Sequence, residues 1–159
     1  MTNTPLDRID IRILDALQED GRLSNVDLAA KVALSPTPCL RRVKRLEEEG
    51  VIEHYRTQLN RTKIGLGVTA FVHINLDEHG PQATKAFLAS VSAVGEIVSC
   101  HVVTGPFDFL LEVVTPTLED YSNVMVERLG GLPGVKALQT SFALRSTEYR
   151  QRLPLSHLA

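Results

Sequence analysis

The chain has 159 residues, 43% of them hydrophobic and 23% charged, with a formal net charge of −2, room for one ordinary domain or two small ones with a buried core. No apolar run approaches the roughly 18–20 residues needed to cross a bilayer, and the opening MTNTPLDRID has neither a basic nor an apolar signal region, so a cytoplasmic protein without a membrane partner is expected. The slight acidity excludes a protein that coats nucleic acid indiscriminately, while RRVKR at 41–45 keeps a local cationic patch of the kind specific DNA binding needs.

From 7 to 49 the apolar spacing is helical. Asp7 is placed to cap a helix, with Asp10 three residues on in the manner of a capping box. Ile9, Ile13, Leu14 and Leu17 make one apolar face, and Gly21 ends the helix. Ser24 caps a second, shorter helix with Asp27 in the returning position, and Val26, Leu28, Ala29 and Val32 face inward. Ala33-Leu34-Ser35 reads as a tight turn. Ser35 then caps a third helix, with Pro36 at the first helical position, where a missing N–H needs no partner. That helix runs to Gly50 and buries Leu40, Val43 and Leu46. Val51–Arg56 reads as a short strand.

A short helix, a turn and a second helix with buried and exposed stripes in fixed relation make a helix-turn-helix. Around the solvent side of the third helix lie Thr37, Pro38, Arg41, Arg42, Lys44 and Arg45, with Pro38, Arg41, Arg42 and Arg45 sharing one face. Methyl and ring carbons of Thr37 and Pro38 suit thymine methyls, and arginine forks onto guanine or clamps a phosphate. Ser35 and the N–H groups of the helix start are placed to hold a phosphate oxygen. As charge alone, RRVKRLEEE would equally be a solvated helix with Lys44–Glu48 and Arg45–Glu49 pairs. That reading does not account for the Ser-Pro-Thr-Pro start or the short helix before it. The expected contacts to double-stranded DNA are Ser24, Asn25, Ser35, Pro36, Thr37, Pro38, Arg41, Arg42 and Arg45.

Near 57–66 polar residues, Asn60 and Gly65 break the helical pattern. The chain therefore divides into a helix-turn-helix domain (1–56), a hinge (57–66), a second domain (67–146) and a tail (147–159) whose leucines point to docking. The second domain alternates: strand Val68–Leu76, helix Gln82–Val91, strands Glu96–Val103 and Asp108–Thr115, a helix from Thr117 or Leu118 to Leu129, strand Val135–Leu144. This β-α-β-β-α-β order is that of an α+β, ferredoxin-like antiparallel sheet with both helices on one face. The other face is left for a second copy, giving a homodimer.

Cys39 and Cys100 stand far apart in apolar segments, so both are expected as reduced, buried side chains. His54, His73, His79, His101 and His157 are scattered without metal-ligand spacing, so neither a metal nor a cofactor is expected. No nucleophile elbow, phosphate loop or paired His/Asp or Cys/His spacing occurs, so an enzyme is not expected. The competing classes are an enzyme on a ferredoxin-like fold, and a small-molecule-binding or oligomerising module without regulatory role. The first sixty residues speak against the module.

One turn in the second domain stands out, Thr104-Gly105-Pro106-Phe107-Asp108-Phe109. Gly105 permits a positive-φ turn and close approach of a ligand carboxylate to backbone donors, and Asp108 could meet an α-ammonium group. The other reading is a hairpin turn whose aspartate caps the loop, and the residues alone leave both open.

The run DRIDIRILDALQEDGRLSNVDLAAKVALSPTPCLRRVKRLEEEGVI, then TGPFDFLLEVV, LPGV and TSFAL, resembles the leucine-responsive regulatory protein/AsnC (feast/famine) family of bacterial and archaeal transcription regulators over essentially the whole chain. LSPTPCLRRVKRLEEEGVI is its most specific stretch. The resemblance implies a helix-turn-helix, a hinge strand and a ferredoxin-like effector domain, regulating amino-acid metabolism in response to a free amino acid. It also implies a dimer through the sheets, commonly assembled into a ring-like octamer around which DNA can wrap. The family's effector loop is usually Gly-Asp-Phe/Tyr-Asp-Tyr. Gly105, Phe107, Asp108 and Phe109 fit it, while Pro106 departs and removes a backbone N–H. Family effector pockets form between dimers and draw on the last strand, here Gln139, Thr140 and Ser141, with Thr104 and His101 flanking. His101 reads more readily as a strand residue satisfied by a neighbour than as a ligand contact. The apolar strands around the loop favour a leucine- or methionine-like effector.

Overall fold

The computed structural model describes residues 6–78, 80–145 and 152–158. These form two compact units, one of residues 6–58 with 152–158 and one of residues 59–145 without 79. His79 and the rest of the tail lie outside the described residues.

The first unit holds α1 (Arg8–Glu19), α2 (Asn25–Lys31) and α3 (Pro36–Glu48). Asp7 caps α1 through a reciprocal box with Asp10, and Ser24 accepts the Asp27 N–H at 3.2 Å to start α2. At seven residues, α2 is far too short to persist alone, since isolated helices under about 12–15 residues are marginal in water. Packing holds it. Ile13, Leu28, Ala29, Val32, Cys39 and Leu46 form the buried centre, where each large aliphatic side chain contributes roughly 1.5–3 kcal/mol. The turn between α2 and α3 places Ala33 at φ +56°, a left-handed conformation that costs a non-glycine residue about 1–2 kcal/mol.

Three expectations change here. Val26 is 63% exposed rather than inward, because the seven residues of α2 offer the core only the Leu28–Ala29 side. Residues 51–56 form no strand; among the described residues of this unit no other strand lies beside them to complete a ladder. The tail, read as docking through its leucines, is held by polar contacts where it is described: Leu153 N–H donates to Gln18 Oε1 at 2.6 Å and Arg152 pairs with Glu19 at 3.0 Å on α1, while the Leu153 side chain is 72% exposed.

The second unit follows the expected order, with β1 (Val68–Leu76), α4 (Pro81–Val91), β2 (Ile97–Val102), β3 (Phe109–Thr115), α5 (Leu118–Val124) and β4 (Val135–Phe142). A π-helical turn, Met125–Leu129, extends α5 to Gly130, whose N–H reaches the Met125 carbonyl at 2.9 Å. The sheet runs β2-β3-β1-β4 with every pair antiparallel. Alternation along β1 and β3 turns Ala70, Val72, Ile74, Leu111 and Val113 onto Phe87 and Val91 of α4 and Tyr121 and Val124 of α5. Phe87 and Phe109 meet with ring centroids 4.4 Å apart. On the other face lie Phe71, His73, Leu110 and Glu112, away from α4 and α5, with Arg61 Nη1 reaching Glu112 Oε1 at 2.7 Å.

Candidate DNA interface and effector cleft

The orientation of α3 is set by a carboxylate. Asp10 is 1% exposed, so its charge must be paired and hydrogen-bonded to be tolerated in the interior. Arg42 Nη1 reaches Asp10 Oδ1 at 2.8 Å and Asp7 Oδ2 at 2.7 Å, and Arg45 Nη2 reaches Asp10 Oδ2 at 2.6 Å. The Asp7 N–H adds a bond at 3.1 Å. Hydrogen bonding to the Asp10 N–H, then to Arg42, holds the Asp7 carboxyl below the usual aspartate range. The partner carboxylates in turn raise Arg42, through Asp7 first, and Arg45, through Asp10.

With this ion-pair cluster, α3 stands in a different phase from the one that apolar spacing alone predicts. Cys39 and Leu46 are fully buried with Val43 beside them, whereas Leu40 is 42% exposed. At about 100° per residue, Pro38, Arg42 and Arg45 flank α1, while Thr37, Arg41, Lys44 and Glu48 form the outward stripe with Leu40 at its edge. The expected face of Pro38, Arg41, Arg42 and Arg45 therefore splits. Arg41 is exposed; Arg42 and Arg45 are engaged with Asp10. Lys44 belongs with the outward set. The signal that could have found this was Asp10 itself, an acidic residue on the apolar stripe of α1.

The remaining expected contacts are placed as follows. Ser24 is engaged with Asp27, to which its hydroxyl donates at 2.6 Å. Asn25 Nδ2 donates to the Pro36 carbonyl at 2.8 Å and so ties α2 to the start of α3, its Oδ1 buried without a hydrogen-bond partner among the described residues. Ser35 stands at the N-cap, but its hydroxyl makes no cap bond. Pro36 and Pro38 have no N–H, which leaves the Thr37 N–H as the donor of the first three helical residues.

In the second unit, β1 runs past the first residue of β3, since Ile74 pairs with Phe109. Beyond that point Asp108 replaces the missing strand: its Oδ2 accepts the Leu76 N–H at 2.8 Å, and its N–H donates to the Ile74 carbonyl at 2.9 Å. Gly105 turns the loop at φ +119°. Phe107 lies over His73 with centroids 4.5 Å apart. Together these residues shape one end of the sheet into a cleft of about 330 Å³, lined by Asn75, Leu76, Gly105, Pro106, Asp108, Lys136 and Ala137. That volume is at the lower end of the roughly 300–1,000 Å³ common for small-ligand sites.

Gln139, Thr140 and Ser141 do not line this cleft. Strand alternation separates them: Thr140 turns under α5, its hydroxyl 2.5 Å from that of Tyr121, while Gln139 and Ser141 pair in register with His73 and Phe71 on the uncovered face. Thr104 is exposed beside the loop, and His101 is exposed on β2 opposite Leu110. Cys39 is buried and Cys100 half-buried, both free, with burial pushing each thiol up. Among the described residues no group of three His, Cys, Asp or Glu could hold a metal ion, and no helix is long and apolar enough to cross a membrane.

A helix-turn-helix joined in one chain to an α+β sheet domain with a small polar cleft defines a ligand-responsive DNA-binding protein. Comparison with known proteins agrees with that class. Residues 6–53 match the model for winged helix-turn-helix DNA-binding domains, and residues 69–153 that for the Lrp/AsnC ligand binding domain. The leucine-responsive regulatory protein of Salmonella typhimurium is 43% identical over 148 residues, 93% of this chain and 90% of that one. That of Escherichia coli K12 is 42% identical over the same shares. A transcriptional regulator from Neisseria meningitidis, solved as a complex with L-Met, superposes with a TM-score of 0.91 at 40% identity, over 97% of this chain and 99% of that one. An AsnC family regulator from Agrobacterium tumefaciens superposes with a TM-score of 0.90 at 36% identity, over 97% and 100%. The chain belongs to the Lrp/AsnC family of transcription regulators, whose members pair a DNA-binding helix-turn-helix with an amino-acid-binding domain.

Proposed function

We propose that this chain reads double-stranded DNA through the outward stripe of α3, with Thr37, Leu40 and Arg41 addressing base edges and Lys44 a phosphate. The observation that carries this reading is the Asp10 cluster, which engages Arg42 and Arg45 and turns Thr37, Arg41 and Lys44 to solvent. The second unit takes a free amino acid, leucine- or methionine-like, at the cleft beside Gly105 and Asp108. A leucine-responsive name among the relatives and an L-Met complex among the similar structures support that effector class.

Two copies join through the uncovered sheet face around Phe71 and Leu110, and dimers assemble further to an octamer. The assembly is cytoplasmic, regulates genes of amino-acid metabolism and catalyses no reaction. Two experiments test the reading. Selection from a randomised duplex pool is expected to enrich a defined site that outcompetes bulk DNA by at least about a thousandfold. A melting-temperature screen against the twenty amino acids is expected to single out an apolar one, since a ligand that binds only the folded state raises the midpoint. Recovery of no preferred sequence, or a flat screen, removes the corresponding half.

A further inference from the structure

We infer that Lys136 anchors the α-carboxylate of the amino acid bound in the cleft, an inference that rests on the effector reading above. Asn75 pairs with Ala137 and Leu76 with Val135, so Lys136 is the extra residue of a β-bulge in β4. Bulges re-aim a side chain out of the regular alternation and occur preferentially beside functional sites. This one aims at the cleft, which Lys136 lines. Lys136 is exposed, and no described carboxylate pairs with it. Its position is therefore not explained by an ion pair with any described residue.

The charges of the cleft define what fits it. Asp108 heads β3, Lys136 lies in β4, and β1 runs between them, which places the two backbones about 10 Å apart. A simple amine would bring a second positive charge to Lys136, whereas a carboxylate brings the opposite one. Pro106, which lines the cleft in this loop, has no N–H to donate, which leaves the loop one backbone donor fewer for a carboxylate. A lysine ammonium supplies three donors and a full charge.

The test is calorimetric titration of the full chain with L-leucine and L-methionine, and with the corresponding amides, which keep the ammonium and lose the carboxylate. Wild type is expected to prefer the acid over the amide by about tenfold or more, as for a charge-assisted hydrogen bond. Lys136→Met is expected to lose that preference, and Lys136→Arg to keep most of it. With no ligand, Lys136→Met is expected to melt with wild type, since the side chain is exposed and unpaired among the described residues. Equal affinity of wild type and Lys136→Met for the acid overturns the inference and leaves the effector reading standing. Absence of binding by any of the twenty amino acids to wild type overturns both.

Discussion

Arg45 Nη2 lies 2.6 Å from Asp10 Oδ2, joining the last third of α3 to the first turn of α1 across 35 residues of chain. Because Asp10 is 1% exposed, it behaves as a buried charge whose removal leaves two arginines without their shared partner. Asp10→Ala is expected to lower unfolding stability by about 2–4 kcal/mol in urea titrations. Arg41→Ala, one residue from the cluster and exposed, is expected to change it by less than about 0.5 kcal/mol. Equal effects of the two would mean that Asp10 does not orient α3.

The same cluster gives the first unit an acid limit. The Asp7 carboxyl is held low, chiefly by the Asp10 N–H and then by Arg42. A carboxyl whose folded value is depressed contributes stability that is complete above its unfolded value of about 4 and is lost as pH falls through the folded value. Asp7 is exposed, so solvent screening keeps the effect under about 1 kcal/mol. The melting difference between wild type and Asp7→Asn is thus expected to be larger at pH 7 than at pH 3. A constant difference would argue against the Asp7–Arg42 pair.

On DNA, two residues of the outward stripe of α3 are expected to separate in their salt dependence. Lys44→Ala is expected to reduce the slope of log affinity against log salt by about 0.9, the loss of one phosphate contact, uniformly over sequences. Arg41→Ala is expected to cost about 1–3 kcal/mol on the preferred site and to relax preference at one base pair. An Arg45→Ala variant that kept its fold yet lost base preference in the same way would place Arg45 on the DNA.

Ala33 sits at φ +56° in the turn between α2 and α3. Glycine adopts that conformation without a steric penalty but has more freedom in the unfolded chain. Ala33→Gly is expected to be neutral or to raise stability by up to about 1 kcal/mol in chemical unfolding. A loss of 1 kcal/mol or more would show that the turn carries no left-handed strain.

Much of this was legible in the residues. β1 appears at its expected bounds because Val68–Leu76 alternates strictly and its apolar set meets α4 and α5. The caps of α1 and α2 were readable because Asp7/Asp10 and Ser24/Asp27 are local, three-residue relations. What escaped was non-local. The phase of α3 depends on a carboxylate 32 residues upstream of Arg42, and an apolar count at Leu40, Val43 and Leu46 cannot see it. Val51–Arg56 alternates like a strand but lacks a neighbouring strand in its unit. The role of Lys136 needs the β1–β4 register, since a bulge exists only relative to its partner strand. The grouping of Gln139, Thr140 and Ser141 came from the family resemblance, and the alternation of β4 sends them to opposite faces.

The central claim is that DNA reading by α3 is coupled to an amino acid held in the second unit. It is tested most directly by titrating the full chain onto its selected duplex, by fluorescence anisotropy at fixed salt, with no amino acid and with saturating L-leucine or L-methionine. Coupling of about 1–3 kcal/mol, a change of roughly 5- to 150-fold in duplex affinity, is the expected result for at least one of the two. Identical curves with an amino acid that calorimetry shows to be bound would contradict it.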